Sequence, residues 1–253
     1  MIAELTERER VILDKLSADG TVSVGTLAHD LELSEVTIRQ DLKVLEEKGW
    51  LNRKRGGAVP ALHRDILERQ RMYTEQKNAI ARAAAEMIRE GDVIMIEAGT
   101  TTALIARYLA GKRDIHILTN STLVFSYARM YPNLQITMTG GEFRRATESL
   151  VGPIALETIG RINVRLAFVG TDGFTLERGM TTHLMEGAEI VKAMKAHSET
   201  TVLAADSSKY GKTGFSHVLP LSAMDMILTD DDLSGQAEEE LREAGINIKK
   251  ARR

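Results

Sequence analysis

The segment from residue 34 to residue 57 carries side chains that can read the bases and phosphates of DNA. Arg39 can donate two hydrogen bonds to guanine O6 and N7, and Gln40 can bond adenine N6 and N7 in the same two-point way. A basic run at residues 53–55 follows and ends in two glycines, which suits a tight turn placed against phosphates. The segment therefore predicts base recognition in a major groove with contacts to the adjacent backbone.

A second group of polar residues follows the strand-like runs in the rest of the chain. The five groups are Glu97-Ala98-Gly99-Thr100-Thr101-Thr102, Thr119-Asn120-Ser121, Thr139-Gly140-Gly141-Glu142, Gly170-Thr171-Asp172-Gly173 and Ala205-Asp206-Ser207-Ser208-Lys209. The carboxyl ends of parallel strands line a common crevice in which ligands bind. Glycine amides and a helix that starts at Thr102 suit an anion, and Lys209 adds a cation. Asn120, Asp172 and Asp206 can hold hydroxyl groups, so the expected ligand is a sugar phosphate.

Each motif also has an ordinary structural explanation. A charged outer face is normal for any short three-helix unit, a Gly-Thr-Thr after a strand usually caps a helix, and an Asp-Gly usually forms a turn. Function is favoured by the combinations. A capping serine, an arginine and a basic glycine turn occur together in the first segment, and five polar strand ends occur in one predicted sheet.

Three helices must position the DNA-reading side chains. Residues 7–18 and 24–31 each predict an amphipathic helix, and Ser34 can cap a third. Apolar residues recur at i, i+4 and i+7 in the third helix and must face the first two, which leaves its polar side chains outside. A hairpin after Trp50 completes a winged helix-turn-helix, predicted as a DNA-binding domain over residues 1–58.

Strand-like and helical stretches alternate in the rest of the chain, after a linker predicted for residues 59–75. The predicted strands are residues 93–96, 115–118, 134–138, 166–169, 201–204 and 226–228. Several lack polar alternation, which is typical of a parallel sheet covered on both faces. Residues 76–253 therefore predict an α/β sandwich as the effector domain.

Composition excludes several classes of protein. The chain has 253 residues, of which 43% are hydrophobic and 27% charged, and it has no cysteine, so disulfides and thiol nucleophiles are excluded. Its six histidines lack metal-ligand spacing, and no apolar run approaches the ~18 residues that span a bilayer. We expect a cytoplasmic protein without metal, cofactor or membrane partner. The net charge of −3 weighs little against DNA binding, because residues 39–55 hold six basic and three acidic side chains.

These motifs together resemble the DeoR-type bacterial transcription regulators. The matching runs are residues 24–42, 55–58, 97–102, 118–120, 139–144, 169–173, 179–182 and 206–211, which cover nearly the whole chain. The resemblance implies a recognition helix from Ser34 to Lys48. It also implies a C-terminal sensor domain that binds phosphorylated sugar intermediates and is similar in fold to ribose-5-phosphate isomerase and glucosamine-6-phosphate deaminase.

The resemblance adds Thr182 and Glu186 to the expected ligand site. Many relatives carry two consecutive acidic residues where this chain has Glu186-Gly187, so Glu186 is the candidate for a sugar hydroxyl. The residues predicted to contact DNA are Ser34, Glu35, Val36, Thr37, Arg39, Gln40, Lys43, Arg53, Lys54, Arg55, Gly56 and Gly57. The residues predicted to bind the effector are Ala98, Gly99, Thr100, Thr101, Thr102, Asn120, Gly140, Gly141, Glu142, Asp172, Thr182, Glu186, Asp206 and Lys209.

The expected function is regulation of transcription, as a repressor of a carbohydrate-utilisation operon whose binding to double-stranded operator DNA responds to a phosphorylated sugar. One head contacts one half-site, so a homo-oligomer, either a dimer or a tetramer, is expected. No catalytic residues are assigned, because turnover would erase the signal. One alternative is a sugar-phosphate isomerase-like enzyme fused to a DNA-binding head, with Glu186, Glu189 or Asp172 as general base. Another is a scaffold that only dimerises the head.

Overall fold

The computed structural model describes residues 5–253, so the first four residues of the predicted DNA-binding domain lie outside the described residues. The chain forms one compact unit that ends at Arg69 and a second that runs from Gln70 to Arg253. No helix among the described residues is both long and apolar enough to cross a membrane.

The first unit consists of three helices and a small antiparallel sheet. Its helices are α1 (Glu7–Asp19), α2 (Val24–Asp30) and α3 (Glu35–Glu47), and its strands are β1 (Val22–Ser23), β2 (Leu51–Lys54) and β3 (Gly57–Pro60), in the order β1-β3-β2. Thr6, Ser23 and Ser34 cap the three helices, each hydroxyl accepting a hydrogen bond from an amide three residues later. The predicted winged helix-turn-helix is present in this unit.

Two ion pairs join α1 to the end and the buried side of α3. Arg8 Nη2 lies 2.8 Å from Asp41 Oδ1, and Lys48 Nζ lies 2.7 Å from Glu9 Oε1. Burial of Leu16, Ile38 and other apolar side chains between the helices supplies the core. These contacts fix the direction in which the outer face of α3 points.

The segment predicted as a linker, residues 59–75, contains regular structure. Its first two residues complete β3, and helix α4 (Arg64–Arg71) follows before the next helix, α5 (Thr74–Glu86), begins. Helix α4 shows no clear hydrophobic periodicity in the sequence, because charged residues of both signs are mixed along it. Ile66 and Leu67 are nevertheless both buried, which gives that helix an apolar side.

The second unit is built on a parallel sheet of seven strands. These are β4 (Val93–Ile96), β5 (Ile115–Thr119), β6 (Leu134–Met138), β9 (Val164–Val169), β12 (Ser198–Ala204), β14 (Met226–Asp230) and β15 (Ile248–Ala251). Its α-helices are α5 (Thr74–Glu86), α6 (Thr122–Ala128), α7 (Pro153–Gly160), α8 (Met185–Ala196) and α9 (Gly235–Glu243). The predicted class, a winged helix-turn-helix plus an α/β domain, is confirmed.

One strand of the sheet was not predicted. The seventh strand, β15, escaped prediction because Ile248-Lys249-Lys250-Ala251 is a short edge strand with two lysines in place of an apolar run. The helix predicted to start at Thr102 is present as a 3₁₀-helix, Thr102–Leu109, which turns more tightly than an α-helix.

Two small antiparallel elements project from the carboxyl edge of the large sheet. One is the hairpin of β7 (Glu142–Arg144) and β8 (Ser149–Val151), and the other contains β10 (Gly173–Thr175), β11 (Gly179–Thr182) and β13 (Ser216–His217). Neither was predicted. Both contain residues from the polar groups that follow predicted strands or from the runs that match the DeoR-type regulators.

The location of the expected ligand crevice follows from the strand order, which is β15-β14-β12-β9-β4-β5-β6. From β4 the chain adds β5 and β6 on one side, and it then returns to add β9, β12, β14 and β15 on the other. The loops after β4 and β9 therefore leave the sheet in opposite directions. A ligand crevice is expected between them in an open parallel sheet.

Candidate functional site

The outer face of α3 carries the side chains that were predicted to read bases. Arg39, Gln40 and Lys43 are exposed, and Val36 is 73% exposed, which leaves an apolar contact free for a thymine methyl group. The Ser34 hydroxyl, in contrast, is used within the protein. Its Oγ accepts a hydrogen bond from the Thr37 amide at 3.1 Å, so Ser34 orients the start of the helix.

Two cations of this face are paired along the helix with carboxylates. Arg39 contacts Glu35 one turn earlier, and Lys43 Nζ lies 3.8 Å from Glu47 Oε1. Both pairs are exposed, and exposed pairs of this kind contribute only ~0.3–0.5 kcal/mol. Arg39 can therefore leave Glu35 for a guanine at small cost. Glu35 itself can accept a hydrogen bond from a cytosine amino group.

All three residues of the predicted basic run are exposed on the wing, but they differ in their partners. Lys54 and Arg55 are exposed at the turn between β2 and β3. Arg53 instead bonds Glu46 of α3 twice, through its amide to Oε1 and its Nε to Oε2, each at 2.8 Å. Arg53 therefore holds the wing against α3.

The two glycines of the wing have different roles. Gly56 has φ +78°, a left-handed conformation that glycine adopts without strain, and it is exposed at the turn. Gly57 is buried against β1, where an added Cβ would lie 1.9 Å from the Val22 carbonyl oxygen. The structure thus places Gly57 inside the wing, because the strands approach too closely for any side chain, and away from the DNA-facing surface on which it was predicted.

In the second unit, Glu97 and Gly170 join the ends of β4 and β9 at the point where the strand order reverses. Glu97 is 8% exposed, and its Oε2 accepts a hydrogen bond from the Gly170 amide at 3.0 Å. Burial is the main cause that raises the pKa of the Glu97 carboxyl to about 8. The Gly170 hydrogen bond opposes this rise, and the negative charge of Asp172 adds a smaller contribution to it.

Asp172 and Thr182, which were predicted separately, are in contact. Asp172 Oδ2 accepts hydrogen bonds from Thr182 Oγ1 at 3.0 Å and from the His183 amide at 2.9 Å. These donors fix the carboxylate of Asp172 at the end of β9. These hydrogen bonds thereby connect the end of β11 to the end of β9.

The Gly-Thr-Thr-Thr loop after β4 is compact. An added Cβ on Gly99 would lie 2.8 Å from Thr102 Oγ1, and Thr102 is buried with that hydroxyl donating to the Gly99 carbonyl at 3.2 Å. The hydroxyls of Thr100 and Thr101 make no hydrogen bond to any other described residue. These two hydroxyls are the side-chain donors of the loop that remain for a ligand, whereas Thr102 shapes the loop.

Asn120 is buried, and both ends of its amide are in use. Its Oδ1 accepts from the Ala98 amide at 2.9 Å, and its Nδ2 donates to the Leu150 carbonyl at 3.2 Å. Asn120 therefore ties the loop after β4 to strand β8. A sugar hydroxyl would have to compete with these two bonds, so the geometry favours a positioning role.

The glycines after β6 let the chain turn into the β7–β8 hairpin. Gly140 and Gly141 have φ of +71° and +105°, and an added Cβ on Gly141 would lie 2.4 Å from the Val151 carbonyl oxygen. On this hairpin, Arg144 is bonded to two predicted site residues. Its Nη1 lies 3.1 Å from Glu142 Oε2, and its Nη2 lies 2.8 Å from Glu186 Oε1.

The hydrogen bond from Arg144 lowers the pKa of the Glu186 carboxyl. Arg144 and Glu97 were not among the predicted ligand residues. Both residues lie in polar runs that follow predicted strands. For Glu97, the signal in the sequence was a charged residue directly after an apolar strand.

Asp206 and Lys209 follow β12, the strand next to β9. Asp206 is 1% exposed; its Oδ1 accepts from Ser208 Oγ, and its Oδ2 is buried without a hydrogen-bond partner in the described part of the chain. Lys209 is half-buried and forms no ion pair with any described carboxylate. In the part of the chain that the structure describes, no hydrogen bond links either side chain to the loops after β4 or β9. They therefore form a second, neighbouring group.

Family models match both units. The model of the DeoR-like helix-turn-helix domain matches residues 8–61, and that of the DeoR C terminal sensor domain matches residues 72–231. The HTH-type transcriptional regulator GlpR of Haloferax volcanii is 35% identical over 246 residues, which are 96% of each chain. A protein of Escherichia coli O157:H7, named as a candidate aga operon transcriptional repressor, is 30% identical over 249 residues, 96% of this chain and 93% of that protein.

Solved structures similar to this chain include two from other families. Ribose 5 phosphate isomerase A from Neisseria gonorrhoeae has a TM-score of 0.39 and 20% identity, covering 53% of this chain and 52% of its own. Translation initiation factor eIF-2B from Pyrococcus horikoshii OT3 has a TM-score of 0.43 and 17% identity, covering 87% of this chain and 86% of its own.

Proposed function

Because the chain belongs to the DeoR family of helix-turn-helix transcriptional regulators, we propose that it represses a carbohydrate-utilisation operon and that a phosphorylated sugar modulates its operator binding. Residues 1–58 would bind operator DNA, and residues 76–253 would hold the effector, with residues 59–75 between them. The repressor role is supported by the name of the Escherichia coli relative.

The observation that carries the effector proposal is a set of donors without partners at the carboxyl edge of the sheet. Among the described residues, the hydroxyls of Thr100 and Thr101 and the ammonium of Lys209 have no hydrogen-bonding or ionic partner. Hydroxyl and ammonium donors at a strand-to-helix junction suit a phosphate group. Nearby acceptors, Asp172 above all, suit the hydroxyls of a sugar.

Operator binding is supported by the free outer face of α3 and by the exposed cations of the wing. Arg39 and Gln40 supply the two-point contacts that distinguish base pairs, while Lys54 and Arg55 reach phosphates. One such head reads one half-site. We therefore propose a homo-oligomer, dimeric or tetrameric, that binds repeated half-sites on double-stranded DNA.

Regulation in this proposal is thermodynamic linkage. The effector changes operator affinity only by the ratio of its affinities for the DNA-bound and the DNA-free protein. Catalysis is not required. A protein that consumed its effector would lose the signal, so the isomerase-like alternative predicts turnover and the sensor predicts none.

Thermal unfolding of the full chain with a set of sugar phosphates tests the effector. The set is ribose 5-phosphate, fructose 1-phosphate, fructose 6-phosphate and glucosamine 6-phosphate, each compared with its unphosphorylated sugar and with inorganic phosphate. A bound effector at a hundred times its Kd stabilises the folded chain by ~2.7 kcal/mol. We expect at least one phosphorylated sugar to raise the Tm and its unphosphorylated form to leave it unchanged.

Fluorescence anisotropy on a duplex selected from a randomised library then tests regulation. The compound that raises the Tm should change the Kd for this duplex by fivefold or more, and a coupled assay should detect no conversion of the sugar phosphate. An unchanged Kd would contradict the sensor role. Measurable turnover would favour the isomerase-like alternative.

A further inference from the structure

Glu97 occupies the reversal point of the strand order with only one half of its carboxyl group in use. Its Oε2 accepts the Gly170 amide hydrogen, and the other oxygen has no hydrogen-bond partner among the described residues. That second oxygen is not fully enclosed by the protein, so a small part of it remains accessible. The carboxyl group is thus anchored on one side and available on the other.

The surroundings of Glu97 disfavour a charge on it. The group is buried, and the negative charge of Asp172 opposes a second negative charge nearby. The Gly170 amide is the only described group that stabilises the ionised form. A carboxyl group whose pKa is about 8 carries its proton at neutral pH and can donate a hydrogen bond.

We propose that Glu97 binds the effector as a neutral carboxylic acid, donating a hydrogen bond from its free oxygen to an uncharged oxygen of the sugar phosphate. This assignment rests on the effector site proposed above. The assignment also predicts which ligand atom lies against Glu97. A hydrogen-bond donor at this position can bond to a hydroxyl or carbonyl oxygen of the ligand but not to an ammonium group. It also makes effector binding depend on a proton that the protein itself holds.

Substitutions of Glu97 distinguish the effect of its proton on binding from the effect of its side-chain shape. In Glu97→Gln, the amide oxygen can still accept from Gly170 and the amide nitrogen still donates, but the group cannot ionise. Glu97→Ala removes both functions. Glu177→Gln, at an exposed turn between β10 and β11, removes a carboxylate elsewhere on the same unit and serves as the matched control.

The experiment is calorimetric titration of the full chain with ribose 5-phosphate, fructose 1-phosphate and fructose 6-phosphate at pH 7.0, 8.0, 9.0 and 9.5. These three ligands carry no amine, and the range lies above the second phosphate pKa of ~6, so each ligand keeps one charge state. For wild type and Glu177→Gln, the Kd should rise about 30-fold between pH 7.0 and 9.5, as follows from loss of one proton with a pKa near 8. Glu97→Gln should bind within a few-fold of wild type at pH 7.0 and lose this pH dependence, whereas Glu97→Ala should bind at least tenfold more weakly throughout.

Failure of this inference can be told apart from failure of the proposed function. If no sugar phosphate binds the wild type at any pH, the effector proposal is overturned. If wild type binds but its affinity is independent of pH, or Glu97→Gln loses binding, or binding strengthens as Glu97 ionises, the carboxylic-acid role alone is overturned.

A measurement without ligand examines the proton directly. Between pH 5 and 8, the unfolding equilibrium constant of the wild type relative to Glu97→Gln should increase about tenfold per pH unit, since the unfolded chain releases a proton that the folded chain retains. Asp172→Asn should shift the upper end of this dependence to lower pH by removing the opposing charge. A wild type that parallels Glu97→Gln over this range would show that Glu97 is ionised and would overturn the inference.

Discussion

Arg144 of the β7–β8 hairpin bonds Glu186 in the first turn of α8, with 2.8 Å between Nη2 and Oε1. The same guanidinium contacts Glu142 on its own hairpin. The hairpin contains the predicted effector residue Glu142 and the helix contains Glu186, so this ion pair joins two parts of the proposed site that are 42 residues apart in the sequence. It also places a planar cation, well suited to a phosphate, among them.

Replacement of Arg144 by alanine should therefore weaken effector binding. We expect the Kd for the best sugar phosphate to rise about tenfold by calorimetry, with little change in the Tm, because the pair is partly exposed to solvent. Arg161→Ala is the control, since Arg161 pairs with exposed Glu157 on α7 and belongs to no candidate site. Equal affinities for wild type and Arg144→Ala would limit Arg144 to a structural role.

Arg39→Ala should weaken specific operator binding by ~1–3 kcal/mol and relax discrimination at one base pair, because its two-point contact to guanine would be lost. Competition anisotropy with single-base variants of the selected duplex measures both effects. Arg10→Ala removes an exposed cation from α1 of the same unit and should leave discrimination unchanged. Unaltered affinity in Arg39→Ala would exclude α3 as the recognition helix.

Lys209→Ala should leave operator binding intact and reduce the response to effector. Lys209 has no carboxylate partner in the described part of the chain, so its removal exposes no buried charge. We expect at least a tenfold higher effector concentration for half-maximal change in DNA binding. Lys212→Ala, an exposed lysine one turn of chain later, is the matched control. A normal response in Lys209→Ala would remove the Asp206–Lys209 group from the site.

Asp92 and Arg165 predict a contribution to acid stability. Arg165 Nε donates to Asp92 Oδ1 at 2.8 Å, and this partly buried pair joins the start of β4 to β9. The Arg165 hydrogen bond lowers the pKa of the Asp92 carboxyl below its ordinary 3.8. A depressed folded-state pKa means that the stabilisation is present above pH 3.8 and is lost as the pH falls through the lower folded value.

Asp92→Asn should lower the free energy of unfolding by ~1–3 kcal/mol at neutral pH, since it leaves the Arg165 charge without its partner. The difference between wild type and variant should shrink below pH 4. Denaturant unfolding at pH 7 and pH 3 measures both values. A difference that stays constant with pH would show that the ion pair is not its source.

Much of the architecture follows from local patterns. The capping serine and the spacing of Ile38, Leu42 and Leu45 predicted α3 and its buried side, and the apolar runs predicted six of the seven parallel strands. The seventh, β15, is a short edge strand whose lysines lie where a central strand would be apolar. The β7–β8 hairpin was not predicted, because the sequence there indicates only a polar strand end that reaches Glu142.

The candidate site was predictable in its residue types and only partly in its roles. Arg53 and Asn120 have the chemistry of DNA and ligand contacts, yet Arg53 bonds Glu46 and Asn120 bonds Ala98 and Leu150. Gly57 was expected at the DNA surface and packs against Val22. The partners of Asn120 and Gly57 are distant in the sequence, and Glu46 lies in another element, seven residues before Arg53. No pattern within one helix or strand contains these partners.

The sequence by itself determined the two-part organisation, the class of each fold and the kinds of ligand that the exposed side chains suit. Those properties depend on periodicity, capping and residue chemistry within a few positions. Only the tertiary structure decided which polar groups remain available. Strand β4 pairs with β9, some seventy residues later, and this pairing buries Glu97 beside Gly170 and Asp172, so that desolvation and a neighbouring charge keep its proton in place.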